Sequence, residues 1–159
     1  VQKDCATEVN EFFVQRMIIL LSDKYNKNIL EACSMKNPLT DISDYVERVE
    51  IVSNLNSAQL VENANRVRRI LKDTEASNVN EKYFVEQIEK TLYNKITEIK
   101  ENVDYKTYLT ELEELNPTVT NFFEEVLVMD KDENIKNNRI ALLTLLRKKY
   151  EHLTDFSKI

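Results

Sequence analysis

The chain has 159 residues, of which 42% are hydrophobic and 31% charged, the balance of a single globular domain and not of a disordered or membrane-spanning protein. It contains no glycine and one histidine, His152, so it offers no P-loop, GxGxxG turn or nucleophile elbow, and a His-based zinc site or Ser-His-Asp mechanism is not expected. The formal net charge of −6 disfavours nucleic acid when taken whole.

The absence of glycine and the presence of only two prolines, Pro38 and Pro117, argue for helix, since tight hairpins need Gly or Asn-Gly. Hydrophobic spacing predicts an all-α bundle of about six to eight helices with no sheet. The first helix runs from about Asp4 to Lys24, carrying Val9, Phe12, Phe13, Leu20 and Leu21. A short helix over Asn28 to Met35 stops at Asn37-Pro38, because proline disfavours helix in the residue before it. Thr40 or Asp41 caps a third, ending near Leu55, and Ser57 caps a fourth through Leu60, Ala64, Val67 and Leu71. Asn80 is expected to cap a long fifth helix with Phe84, Ile88, Leu92, Ile96 and Ile99 as its seam. A sixth runs from Asp104 to Leu115, and Asn116-Pro117 reads as an N-cap with proline at the first helical position, starting a new helix to about Met129. Asp132 caps the last, which reaches about Tyr150. Loops are short and polar, as antiparallel neighbours in a bundle require, and no repeat or low-complexity stretch stands out.

No apolar run reaches the roughly 18 residues of a membrane span, and no basic-then-apolar leader marks secretion. The first residue is Val1 and not methionine, which suggests a piece of a longer protein. Cys5 and Cys33 could pair, but two buried, reduced thiols in a cytosolic protein is the plainer expectation.

The charge is unevenly distributed. Between Glu81 and Glu133 there are 14 acidic and 6 basic residues, whereas Lys136 to Lys149 holds five basic residues and no acidic one. A second cluster comprises Arg66, Arg68, Arg69 and Lys72. Because a charge is felt over only about 8 Å at physiological salt, a polyanion could meet these patches while the acidic middle faces elsewhere. Charge runs are ordinarily solvated helix faces, so this pattern alone is weak evidence for RNA.

Placing residues at about 100° per step separates structural from available cations. Arg139 falls inside the stripe of Ile135, Leu142, Leu146 and Leu153, and must there meet a helix end or a carboxylate. Arg16 lies among Val9, Phe12 and Leu20 and reads as structural too. Arg66, Arg68, Arg69, Lys72, Lys136, Arg147 and Lys148 fall outside or at the edges of the apolar stripes and are the candidates for phosphate contact, with Lys149 at a border. Asp130, Asp132 and Glu133 lack the turn glycine and spacing of a calcium loop, so Asp132 is expected to cap a helix and no metal is expected. Tyr105 and Tyr108 could stack a base, but core packing is favoured. No catalytic residue is assigned.

Near the end of the chain Asn121-Phe122-Phe123-Glu124-Glu125-Val126-Leu127-Val128-Met129, then Asp132-Glu133, then Asn138-Arg139-Ile140-Ala141-Leu142-Leu143 and finally Asp155-Phe156-Ser157 follow one another. This run resembles the tail of the bacterial glycyl-tRNA synthetase beta-subunit family. Phe13-Val14-Gln15-Arg16-Met17, Asn65-Arg66-Val67 through Ile70-Leu71, and Glu86 to Tyr93 agree more loosely with earlier motifs of that family. Asn65 stands where the family pattern has lysine, and Arg69 where it has asparagine.

The resemblance implies a DALR-type anticodon-binding domain, an all-helical bundle shared with arginyl-tRNA synthetases. It implies that residues 57–159 form the core, with helices of 1–56 packing on it. It adds Asn138 to the candidate RNA contacts. It further implies a cytoplasmic, tRNA(Gly)-binding module without catalysis or cofactor of its own. ATP and magnesium would serve the alpha subunit of the parent assembly, which with the remainder of the beta subunit would be its protein partner. Neither DNA nor membrane is implied. The competing reading is a helical scaffold or subunit-interaction domain that touches no RNA.

Overall fold

The computed structural model describes residues 4–76 and 78–159. Among them are seven α-helices, three short 3-10 turns and no strand. No helix there is long and apolar enough to cross a membrane. The chain forms two compact units, one from residues up to Asn56 together with Leu153–Ile159, the other from Ser57–His152.

The first unit holds α1 (Cys5–Leu21), α2 (Lys27–Ala32) and α3 (Ile42–Ser53) with the closing segment that ends in a 3-10 turn, Phe156–Lys158. Its helices start at side chains that accept an otherwise orphaned N–H: Asp4 from Ala6, Asn26 from Asn28, Asp41 from Asp44. Leu30, Ala32, Cys33, Tyr45, Val49 and Val52 are buried, and the chain end is stitched in by Asp155 N–H donating to the Ala32 carbonyl. Arg48 is buried in this core at 1% exposure. Its guanidinium is matched by Asp44 Oδ2 at 2.9 Å and the Leu153 carbonyl at 3.5 Å, which is how a charge survives out of water. Cys33 Sγ lies 3.4 Å from Thr154 Oγ1, and burial pushes its thiol pKa up. Cys5, expected to be buried, is exposed on α1.

The second unit holds α4 (Ala58–Leu71), α5 (Gln87–Glu98), α6 (Tyr105–Glu125) and α7 (Glu133–Leu153) up to His152. Two boundaries differ from expectation. Asn80 caps only a 3-10 turn, Glu81–Tyr83, and α5 begins at Gln87, because the Glu89 carboxylate folds back to accept from the Val85 and Glu86 N–H groups.

The expected break at Asn116-Pro117 does not occur, and α6 runs through it. Leu112, Leu115, Val119 and Phe122 lie on one seam across the proline and all are buried. At about 1.5–3 kcal/mol each, their burial outweighs the roughly 3 kcal/mol that an interior proline costs. Asn116 is occupied otherwise, accepting from Asn63 Nδ2 at 3.2 Å and donating to Ser57 Oγ at 3.5 Å, which ties α6 to the start of α4. Tyr108, fully buried, donates to the Lys149 carbonyl at 2.6 Å and its ring edge meets His152, so it and the buried Tyr105 serve packing and not base stacking.

Candidate functional site

The cations singled out by sequence have different fates in the folded unit. On α4, Arg66, Arg68 and Arg69 are exposed, and so is Lys72 just beyond its end. The Arg66 guanidinium carbon sits 4.3 Å from the centroid of the Phe123 ring, a cation–π contact that holds the arm while its N–H groups still face water. Arg68, Arg69 and Lys72 enter no side-chain ion pair among the described residues. Lys72 carries the one positive φ among the described residues, at 49°, while its N–H still bonds to the Arg68 carbonyl at 2.8 Å. A helix end of this kind normally takes glycine, which this chain lacks.

On α7 most cations are already partnered. Lys136 Nζ lies 2.8 Å from Glu133 Oε1 in the same turn. Arg147 pairs with Glu75 and lies 3.8 Å from Glu151, and it also donates to the Lys72 carbonyl at 3.5 Å. Lys149 donates to the Ile99 carbonyl at 3.0 Å and to Glu101 at 3.1 Å. Lys148 alone of the α7 candidates is exposed and outside any ion pair among the described residues. Through Arg147 the C-terminal end of α4 is brought to the level of Lys148. Lys136, twelve residues before Lys148, is some three turns or about 18 Å away along the axis.

Arg139 is 4% exposed. It meets both oxygens of the fully buried Glu89 at 2.9 and 3.4 Å, Asp130 at 3.1 Å and the Leu127 carbonyl at 2.7 Å. One guanidinium thus fastens the first turn of α5, the α6–α7 link and α7. Four of its five N–H donors are thus spent within the protein. Arg16 does not behave alike. It is exposed on α1, as are Phe12 and Leu20 beside it, because only Ile18 of that helix is buried. Asp132 caps α7, accepting from Asn134 and Ile135 N–H. Among the described residues there is no cluster of three metal-ligating side chains.

Asn138 is not on the surface. It is 3% exposed, and its Oδ1 accepts from Asn80 N–H at 2.7 Å. Its Nδ2 has no hydrogen-bond partner among the described residues. It lines an open depression of about 790 Å³ between the segment leading into α5 and the first half of α7, together with Asn78, Asn80, Tyr83, Asn137 and Lys148.

Two ionic groups escaped sequence reasoning, Arg48 and Glu89. Both were findable by the arithmetic that marked Arg139: Arg48 shares a stripe with Tyr45 and Val52, and Glu89 precedes Leu92 and Ile96 at helical spacing.

Comparison with known proteins places this geometry. Residues 51–154 match the family model described as "DALR anticodon binding domain". The chain belongs to the DALR anticodon-binding domain family. Curated proteins similar to the chain include the glycine–tRNA ligase beta subunit of Thermodesulfovibrio yellowstonii, 34% identical over 164 residues, covering 96% of this chain and 24% of that protein. The corresponding subunit of Geobacter sp. is 31% identical over 170 residues, covering 100% of this chain and 24% of that protein. That of Clostridioides difficile is 30% identical over 169 residues, covering 99% of this chain and 25% of that protein. The chain therefore spans about a quarter of the length of the curated relatives it matches. The stretch matched by the family model takes in α4, α5, α6 and α7, and Arg139 lies within it.

Proposed function

We propose that the chain is a tRNA anticodon-binding module of a glycyl-tRNA synthetase beta subunit, which positions tRNA(Gly) for ATP-dependent aminoacylation performed by the alpha subunit. The reading assigns recognition to 57–159, with 1–56 as added helices, and assigns no chemistry to this stretch. ATP and magnesium would be used at the alpha subunit, in the cytoplasm.

The observation that carries it is the exposed, unpaired set Arg68, Arg69 and Lys72 at the end of α4, with Arg66 beside it, in a chain whose net charge is −6. A solvated cation keeps its counterions until phosphate displaces them, so this set can contribute binding free energy by counterion release. Phosphate contacts of this kind fix register, and bases splayed from a loop supply sequence reading. Lys136 and Arg147, held by carboxylates, contribute less.

Titration of the chain with tRNA(Gly) tests the reading. Binding is expected to weaken on the order of tenfold for the double variant Arg69→Glu with Lys72→Glu, and the salt slope to flatten by about one per cation removed. Equal binding by wild type and a folded double variant would retire these positions.

A second reading is a protein-docking bundle, and α1 favours it. Val9, Phe12, Phe13, Ile19 and Leu20 are all exposed there, with Leu20 at 75%. Loss of copurification with the alpha subunit or the rest of the beta subunit on Phe12→Ser with Leu20→Ser, at unchanged tRNA affinity, would support this role for the first unit.

A further inference from the structure

We infer that the depression between the segment leading into α5 and the first half of α7 is a subsite for a single unstacked nucleobase, seated on Asn138 and Tyr83 with its phosphate toward Lys148. This inference rests on the RNA-binding reading above and names where a base would be taken.

The argument starts from the buried amide. Asn138 Oδ1 accepts from Asn80 N–H at 2.7 Å, and a flipped amide would set donor against donor, so the orientation is fixed. Nδ2 is therefore a committed donor, out of bulk water and without a partner among the described residues. Buried donors of this kind are rare in native structures and call for an acceptor from outside. The wall around it is rigid, because Thr144 Oγ1 donates to the Ile140 carbonyl at 2.8 Å and accepts from Ala76 N–H at 3.4 Å.

The rest of the lining narrows the chemistry. Asn78, Asn80 and Asn137 add side-chain amides that both donate and accept, as base edges do. Tyr83 offers an aromatic ring, with Lys82 Nζ 4.8 Å from its centroid to add a cation beside it. Glu75 at the rim is paired with Arg147, and Lys148 is not paired among the described residues. A volume of about 790 Å³ falls within the roughly 300–1,000 Å³ of ligand pockets. An apolar ligand would leave the lining amides without partners, and a bare phosphate would find amides where it wants cations. A base attached to its phosphate uses both.

Arg147 joins the subsite to the α4 cations by its hydrogen bond to the Lys72 carbonyl. A backbone running past Lys72 and Lys148 would deliver a base beside the amides.

The experiment uses the chain and an anticodon stem-loop RNA bearing a glycine anticodon, in which each loop nucleotide in turn is made abasic. Wild type is expected to lose about tenfold in affinity for one loop position and little elsewhere. Tyr83→Ala and Asn138→Asp should abolish that position-specific dip. Asn138→Asp keeps the acceptor for Asn80 N–H and removes the donor. Should it fail to fold, Tyr83→Ala, on a half-buried residue, and the exposed Lys148→Ala read the same profile. A dip that persists in all folded variants, or a wild type that binds with a flat profile, would overturn the subsite and leave the RNA-binding reading standing. No binding of the stem-loop or of tRNA(Gly) by wild type would overturn both.

Discussion

The end of α4 and the length of α7 carry similar numbers of positive charges, four and five, yet the fold spends them differently. On α7, Lys136, Arg139, Arg147 and Lys149 each face a carboxylate within 4 Å. On α4, Arg68, Arg69 and Lys72 face water. What separates the two is the carboxylates within reach. Glu89, Glu101 and Asp130 from the acidic stretch before α7 meet Arg139 and Lys149, Glu75 meets Arg147, and Glu133 and Glu151 of α7 itself lie beside Lys136 and Arg147. A run of cations on a helix is thus neutralised or available according to the carboxylates on its own turns and on the segments facing it.

The sharpest way to break this comparison is to remove the carboxylate beneath Arg139. Glu89→Ala should cost about 3–5 kcal/mol, since it strands a buried guanidinium and frees two N–H groups at the start of α5. Urea denaturation reads the loss. Glu89→Leu combined with Arg139→Met should recover much of it, because the desolvated pair is then replaced by apolar volume. A double variant as unstable as the single would mean that the cost lies in the α5 cap instead.

Next comes Leu142→Ala, at about 2–5 kcal/mol by the same assay, for a fully buried leucine one turn beyond Arg139. A change within measurement error would place α7's apolar face elsewhere. Smaller effects separate the two cation sets directly. Arg147→Ala should cost about 1 kcal/mol or less, because its carboxylate partners are exposed. Arg69→Glu should leave stability unchanged while lowering the salt dependence of RNA binding, whereas Lys136→Glu should leave that slope nearly as it was.

The smallest effect concerns pH. Asp104 caps α6, and the Thr107 hydroxyl and N–H hold its carboxyl below the usual carboxylate range. A lowered folded-state pKa gives stability that is full above the unfolded value of 3.8 and lost as pH falls through the folded one. Asp104→Asn should therefore differ from wild type at neutral pH and converge with it as pH falls through the lowered folded-state pKa, as followed by thermal melts from neutral into acid.

Much of the fold was legible because helices announce themselves through caps and seams. Asp41, Ser57, Asp104 and Asp132 all start the helices that their sequence context suggests. Pro117 misled because local propensity was weighed without the seam that spans it, a seam visible only once Leu112 and Val119 face the same neighbours. Arg16 misleads for the converse reason: the stripe of Val9, Phe12 and Leu20 has the spacing of a buried seam, yet all three are exposed on α1. Of the candidate site, charge type and position along the helix could be read from sequence. Pairing could not, because Arg147 meets Glu75 across 72 residues. The unpartnered Nδ2 of Asn138 is likewise a property of three-dimensional packing, hidden behind a motif that sequence reading treated as surface.

The joint at Lys72 links endurance to recognition. A side chain bearing a Cβ occupies a backbone geometry with φ of 49° that glycine would adopt freely. Lys72→Gly should raise the melting temperature and weaken the grip on RNA in one step, the signature of a trade-off between durability and purpose. The missing glycine is then not only a quirk of composition but the place where a rigid hinge keeps its charge.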